Sequence, residues 1–384
     1  MKKNNRARTG SRLSLAITFI ICIGMGVAAG IMMPKFFDAV PESHGTPIAL
    51  AVLVLYTVIS LYAAIILHEG GHLVFGLLTG YRFSSFRIGS FMIVKTEGKV
   101  KFKLHSVAGT GGQCLLSPPD MKDGKMPYVL YNLGGVISNI LFASVFALIA
   151  FLTKDSVYAA GLFVTLSLIN FTLGISNGIP FSTPSVDNDG KNAISLGKNP
   201  EALRALFIQL KINSETADGK RLSEMPDEWF HLPKKSELDN PLVASIITFR
   251  TNRLMDMKDF EAAEKLIEEY KNEAALPGIY KVLMTLDQIT LKAISGDEYQ
   301  NIASLFTKDV HKIMAAMKNF PSVIRTKYVF ALLVEGNPAG AKAMLDSFEK
   351  ISKTYPYPVD ITAERELMDI AKQKFEERKT QSEE

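Results

Sequence analysis

The sequence predicts an α-helical polytopic membrane protein, with about four transmembrane helices and a cytoplasmic β-hairpin insertion, followed by a soluble all-α domain. Three observations lead there. Four apolar runs each reach the roughly 20 residues that a bilayer crossing takes; a short alternating stretch interrupts them; and past residue 192 charges return at helical spacing. Composition agrees. Hydrophobic residues make up 47% of the 384 and the mean hydropathy is +0.14, high for a wholly soluble chain and low for one that is membrane throughout. The expected domains are 1–46, a basic tail with a first anchor; 47–192, a membrane-embedded core; and 193–384, a cytoplasmic helical, solenoid-like domain.

The apolar runs cover about 13–33, 47–78, 128–152 and 156–181. The first follows Lys2, Lys3, Arg6, Arg8 and Arg12, and it exceeds the roughly 7–15 apolar residues of a cleavable signal, so it reads as an uncleaved anchor. Lys and Arg gather in the N-terminal tail and in 81–127, whereas 36–46 has none. The positive-inside rule therefore places the N-terminus, that segment and the C-terminal half in the cytoplasm, and a bacterial cell membrane is the expected location. A net charge of +4 is accounted for by topology and contact with anionic membrane lipid, without nucleic acid. Cys22 and Cys114 form no disulfide framework and no paired-cysteine metal motif, and read as packing residues.

Between the second and third runs, Val100, Phe102 and Leu104 alternate with Lys101, Lys103 and His105 after a turn at 96–99, which predicts a β-hairpin within 83–107. Its neighbour GTGGQCLLSPPD (109–120) is too rich in Gly and Pro for helix and reads as a loop or re-entrant strand at the membrane surface. In the soluble half, breaks at 257–259, 295–297 and 335–337 recur about 40 residues apart, and FEAAEKL and PAGAKAML place small residues where paired helices approach. Helical hairpins resembling tetratricopeptide arrays, which repeat at about 34 residues, are expected there. No catalytic constellation lies in this half, so its expected role is contact with a protein partner.

Chemistry enters with IILHEGGHLVFG, residues 65–76. On a helix His68 and His72 project from one face and can share one zinc ion, while Glu69 beside them can reach a water on that ion. Charged groups at membrane depth cost about 2.5–3.5 kcal/mol each, so the site needs a partner that offsets the cost; histidines satisfied within the core are the bland alternative. Catalytic zinc takes three protein ligands and leaves a fourth position open. The fourth run ends NGIPFSTPSVDNDGKN (177–192), where Pro180 and Pro184 break the helix and Asp187 and Asp189 both stand as candidates for the third ligand. His44, His105, His231 and His311 have no ligand spacing and read as surface or structural residues.

These pieces, in this order, resemble the site-2 protease family of intramembrane zinc metalloproteases. His68-Glu69-Gly70-Gly71-His72 is similar to its HExGH-type zinc helix, and Gly135-Val136-Ile137-Ser138-Asn139 to its glycine-proline-x-x-asparagine element, with Val136 where proline is usual. Asn177 through Pro180 to Asp189-Gly190 resembles its asparagine-proline…aspartate-glycine motif, with a longer gap before the aspartate, and the glycine that follows Asp189 favours it over Asp187. The resemblance covers 47 to about 192. It implies a zinc metalloendopeptidase acting on a transmembrane or membrane-associated peptide or protein, with Zn2+ held by His68, His72 and Asp189, Glu69 as general base, and Asn139 as a donor to the oxyanion. An interhelical hydrogen bond is the other role open to Asn139.

A transmembrane substrate must unwind before attack, and an edge strand within 83–107 offers the unwound segment a place by β-addition. A different class of function is a catalytically silent membrane receptor or scaffold that recruits a partner through the helical domain; such a protein has no use for Glu69. A zinc transporter needs ligands at several depths, and the sequence has one cluster.

Overall fold

No charged residue interrupts the run from Pro47 to Leu67, and it forms part of one 34-residue helix, α1 (Gly45–Leu78). The helix stops at Gly80, whose φ of +89° lets its amide reach the Leu77 carbonyl while the Tyr81 amide reaches that of Gly76, each at 3.1 Å. This paired closure is the one a left-handed glycine permits. Two further helices follow, α2 (Val129–Leu152) and α3 (Val157–Gly178). All three are long and apolar enough to cross a membrane, and they pack on one another. Leu55, Val58, Leu61, Leu141 and Leu148 point outward and stay exposed, as suits a lipid solvent that offers no penalty for leaving them there. Helix α3 ends short of the expected residue 181, because Pro180 disfavours helical backbone at Ile179. The computed structural model describes residues 45–107, 110–182 and 187–383, with Phe19, Ile20, Ile23, Gly24, Gly26, Val27 and Gly30. Most of the first expected span, 13–33, lies outside the described residues, as do Cys22, His44 and Pro184.

Strand β1 (Arg82–Ile88) pairs antiparallel with β4 (Gly112–Ser117), so the Gly- and Pro-rich stretch supplies a strand. Between them β2 (Phe91–Thr96) and β3 (Lys99–Leu104) form the hairpin expected within 83–107. Its two-residue turn has φ of 52° at Glu97 and 74° at Gly98, the left-handed pair that matches the twist of adjoining strands. Met92 and Val94 pack with Ala217 and Tyr357. The opposite face leaves Phe91, Val100, Phe102 and Leu104 exposed, so the apolar side of the β3 alternation is the open side.

The chain divides into two compact units, Met1–Ile88 with Gly111–Pro200 and Gly89–Thr110 with Glu201–Glu384. The hairpin belongs with the second, which otherwise holds helices: α4 (Asp189–Ser195) closes the first unit, and the second runs through α5 (Pro200–Ala217), α6 (Pro241–Asp256), α7 (Phe260–Tyr270), α8 (Gly278–Ser295), α9 (Tyr299–Ala303), α10 (Lys308–Ala316), α11 (Pro321–Val329), α12 (Pro338–Ser352) and α13 (Pro358–Glu383). Each of the three sequence breaks falls at a helix junction and contains one left-handed residue, Lys258, Gly296 or Gly336. Asp259 and Asn337 then cap the next helices by accepting from the Ala262 and Gly340 amides. Ala263 and Ala341 are buried where those helices meet their neighbours.

Candidate active site

Helical spacing puts His68 and His72 on one face of α1, with their Nε2 atoms 3.3 Å apart. Asp189, the first residue of α4, brings Oδ2 to 3.1 Å from the first and 3.4 Å from the second. Among the described residues this is the carboxylate that joins the histidines; Asp187 sits in a backbone bridge with Ser182.

Asn188 places Asp189. Its Oδ1 accepts from the Phe181 and Lys191 amides at 2.9 and 3.0 Å, and its Nδ2 donates to the Ser176 and Ile179 carbonyls at 2.9 and 2.7 Å. One side chain thereby ties the end of α3 to the start of α4. Gly190 completes the approach: a Cβ there would stand 2.0 Å from the Gly178 carbonyl oxygen.

The imidazoles are held from behind. His68 Nδ1 lies 2.6 Å from Asn139 Oδ1 and His72 Nδ1 lies 2.7 Å from the Tyr131 carbonyl oxygen. The carbonyl can only accept, and Asn139 turns its oxygen to His68 because its Nδ2 donates to the Ala64 carbonyl at 3.0 Å and to Asn170 Oδ1 at 2.8 Å. Both histidines therefore carry a proton on Nδ1 and turn Nε2 toward Asp189. Room for the His68 ring comes from Gly135, where a Cβ would meet three ring atoms at 2.6–2.7 Å.

Three lone-pair atoms thus face one another at 3.1–3.4 Å, and Asp189 Oδ2 is buried with no hydrogen-bond donor. With both Nε2 atoms unprotonated this arrangement is repulsive until a cation enters it. Zinc–nitrogen bonds of about 2.0–2.1 Å in a tetrahedron give ligand separations of about 3.3 Å, so the donor set fits zinc in type and spacing. Glu69 shares the cavity, of about 290 Å³, which Gln113, Cys114, Tyr131, Asn132 and Asn177 also line. Its carboxylate lies against β4, where a Cβ at Gly112 would be 2.7 Å from Oε1. Burial pushes the Cys114 thiol pKa up.

Sequence reasoning missed Asn170, Asn188 and the role of Gly135. A lone asparagine inside an apolar run is a readable signal of a buried partner, and Asn170 carried it. The other described histidines lie elsewhere: His105 packs edge-on to Tyr355, His231 pairs with Asp227, and His311 lies against Phe306.

Apolar crossing helices that enclose a two-histidine, one-aspartate site with an adjacent glutamate define a membrane metallopeptidase. The family model described as peptidase family M50 matches residues 56–328. The chain belongs to that family, the site-2 protease family of membrane zinc metalloproteases, whose members are generally zinc dependent and act on proteins or peptides. No curated protein matches the chain, and no solved structure does.

Proposed function

We propose that the chain hydrolyses a peptide bond in a membrane-embedded or membrane-associated protein or peptide, with zinc held by His68, His72 and Asp189 and with Glu69 as general base. The convergence of three lone-pair atoms at 3.1–3.4 Å carries this reading. When bound there, zinc supplies a Lewis acid that polarises a carbonyl and brings the pKa of a water toward about 7. Glu69 takes a proton from the attacking water and delivers it to the leaving amine as the carbon–nitrogen bond breaks. Asn139 acts as a positioning residue for His68: both hydrogens of its amide are engaged, at 3.0 and 2.8 Å, which leaves none for an oxyanion.

The unwound substrate segment adds as a strand beside β4. This strand pairs with β1 along one edge, and its Gly112 lies against Glu69. Replacing single substrate amides near the scissile bond by esters should slow cleavage at every second position; a flat profile would remove strand addition. The helical domain reads as a contact surface for a protein partner in the cytoplasm, on the side where the positive-inside rule also places the N-terminus.

Purified wild type should contain about one zinc per chain and cleave a model transmembrane substrate. Glu69→Gln should keep the metal and lose cleavage, Asp189→Asn should lose the metal, and Asp187→Asn should keep both. Zinc-loaded Glu69→Gln protein that cleaves like wild type would instead favour the scaffold reading.

A further inference from the structure

The hydrogen bond from Asn139 to His68 is the middle of a longer chain. Asn170, on α3, accepts from Asn139 Nδ2 through its Oδ1 at 2.8 Å and donates through its Nδ2 to the Leu166 carbonyl, also at 2.8 Å. Both asparagines are 0% exposed. The chain crosses all three described membrane helices, from α3 through α2 to α1, and a backbone carbonyl fixes each amide. Leu166 O on α3 and Ala64 O on α1 can only accept, so each asparagine must turn its nitrogen to that carbonyl. The direction of every bond follows: Asn170 oxygen faces Asn139 nitrogen, Asn139 oxygen faces His68 Nδ1, and the His68 proton stays on Nδ1.

We propose that Asn170 is a positioning residue of the metal site, one that holds the Asn139 amide in the orientation that keeps His68 in its Nδ1–H tautomer with Nε2 facing His72 and Asp189. Asn170 touches neither histidine in this chain of contacts and acts through Asn139. The inference deepens the zinc reading and rests on it for its effect on affinity, whereas its effect on the tautomer stands without a metal. Groups that orient a ligating histidine typically change metal affinity about 10–100-fold when removed. Ala64 O remains to orient Asn139 when Asn170 is lost, so the expected loss lies at the lower end.

The experiment is made on the full chain in detergent. In metal-free protein, nitrogen NMR of labelled histidine should show His68 fully protonated at Nδ1 in wild type and a mixture of Nδ1–H and Nε2–H forms in Asn170→Leu. Zinc titration against a chelator should show Asn170→Leu weakened about 10-fold, and Asn170→Leu added to Asn139→Leu should weaken binding no further than Asn139→Leu alone. If Asn170→Leu does not fold, Asn170→Ser supports the same measurements. An unchanged tautomer and unchanged zinc affinity would overturn the inference, as would equal losses in the presence and absence of Asn139, which would mark a general packing effect. Wild type that binds no zinc, with the tautomer change still seen in Asn170→Leu, would sink the zinc reading and leave the relay standing.

Discussion

Two glycines set the close packing around the candidate site, one against a histidine ring and one against a neighbouring helix. A Cβ at Gly135 would overlap the His68 ring at 2.6–2.7 Å, so Gly135→Ala must push out either the ring or α2. Overpacking of this kind costs roughly 1–3 kcal/mol, and the ring lies directly in the way. Gly135→Ala should therefore lower zinc stoichiometry, read by atomic spectroscopy, by more than it lowers the melting temperature of the metal-free chain. Gly71 has a different task. Its Cβ would stand 2.2 Å from the Gly134 carbonyl oxygen, on the backbone of the neighbouring helix. Gly71→Ala should separate α1 from α2 and destabilise metal-free and zinc-loaded protein alike, with zinc-loaded protein showing no extra loss.

Among the elements, a concentrated polar tie lies in the helical domain. Arg325 on α11 is 1% exposed; its Nη2 donates to Asp287 on α8 at 2.6 Å and its Nε to Glu364 on α13 at 2.7 Å. Three helices therefore share one guanidinium. Removing one partner of a buried pair leaves uncompensated charge, typically worth 3–5 kcal/mol. Arg325→Ala should lower the unfolding free energy of the helical domain by about that amount, while Arg365→Ala, whose partner Glu349 is exposed, should change it by less than about 1 kcal/mol. Denaturant unfolding of the full chain compares the two; equal losses would mean the buried tie does not hold these helices. The breaks between helices were visible in the sequence because each needs a left-handed residue and a capping side chain. Which helices close on Arg325 was not visible, since an arginine at helical spacing reads equally well as a solvated face.

At the scale of the whole molecule, the membrane helices and the helical domain obey different solvents, and stability of the second depends on pH. Asp360 opens α13, and burial, with the carboxylates of Glu364 and Asp256 adding to it, pushes its carboxyl up to about 7 from 3.8. Between those values the native chain holds a proton that the unfolded chain has lost. The stabilisation is complete below about pH 4 and disappears as pH rises through about 7. The helical domain in the intact chain should thus melt at higher temperature at pH 5 than at pH 8, and Asp360→Asn should flatten the difference; a slope unchanged in that variant would assign the effect to another group. The long apolar helices were legible from hydropathy alone, because about 20 apolar residues are the minimum for crossing a bilayer. The attachment of the β2–β3 hairpin to the helical domain was not, because Met92 and Val94 look the same in sequence whichever surface receives them.

The sequence by itself determined the three described membrane helices, the hairpin turn at Glu97-Gly98 and the pairing of His68 with His72, all of which depend on spacing along one element and on backbone preferences of single residues. Tertiary structure decided what depends on two elements meeting. It brought Asp189 to the histidines, because Asn188 and Gly190 fix how α4 leaves α3. It gave Asn139 a histidine and an asparagine to hold, because close helix packing sets side chains 71 and 31 residues apart within hydrogen-bond distance. Such contacts have no period in the sequence to betray them, and they are strong here because lipid offers a buried amide no water in their place.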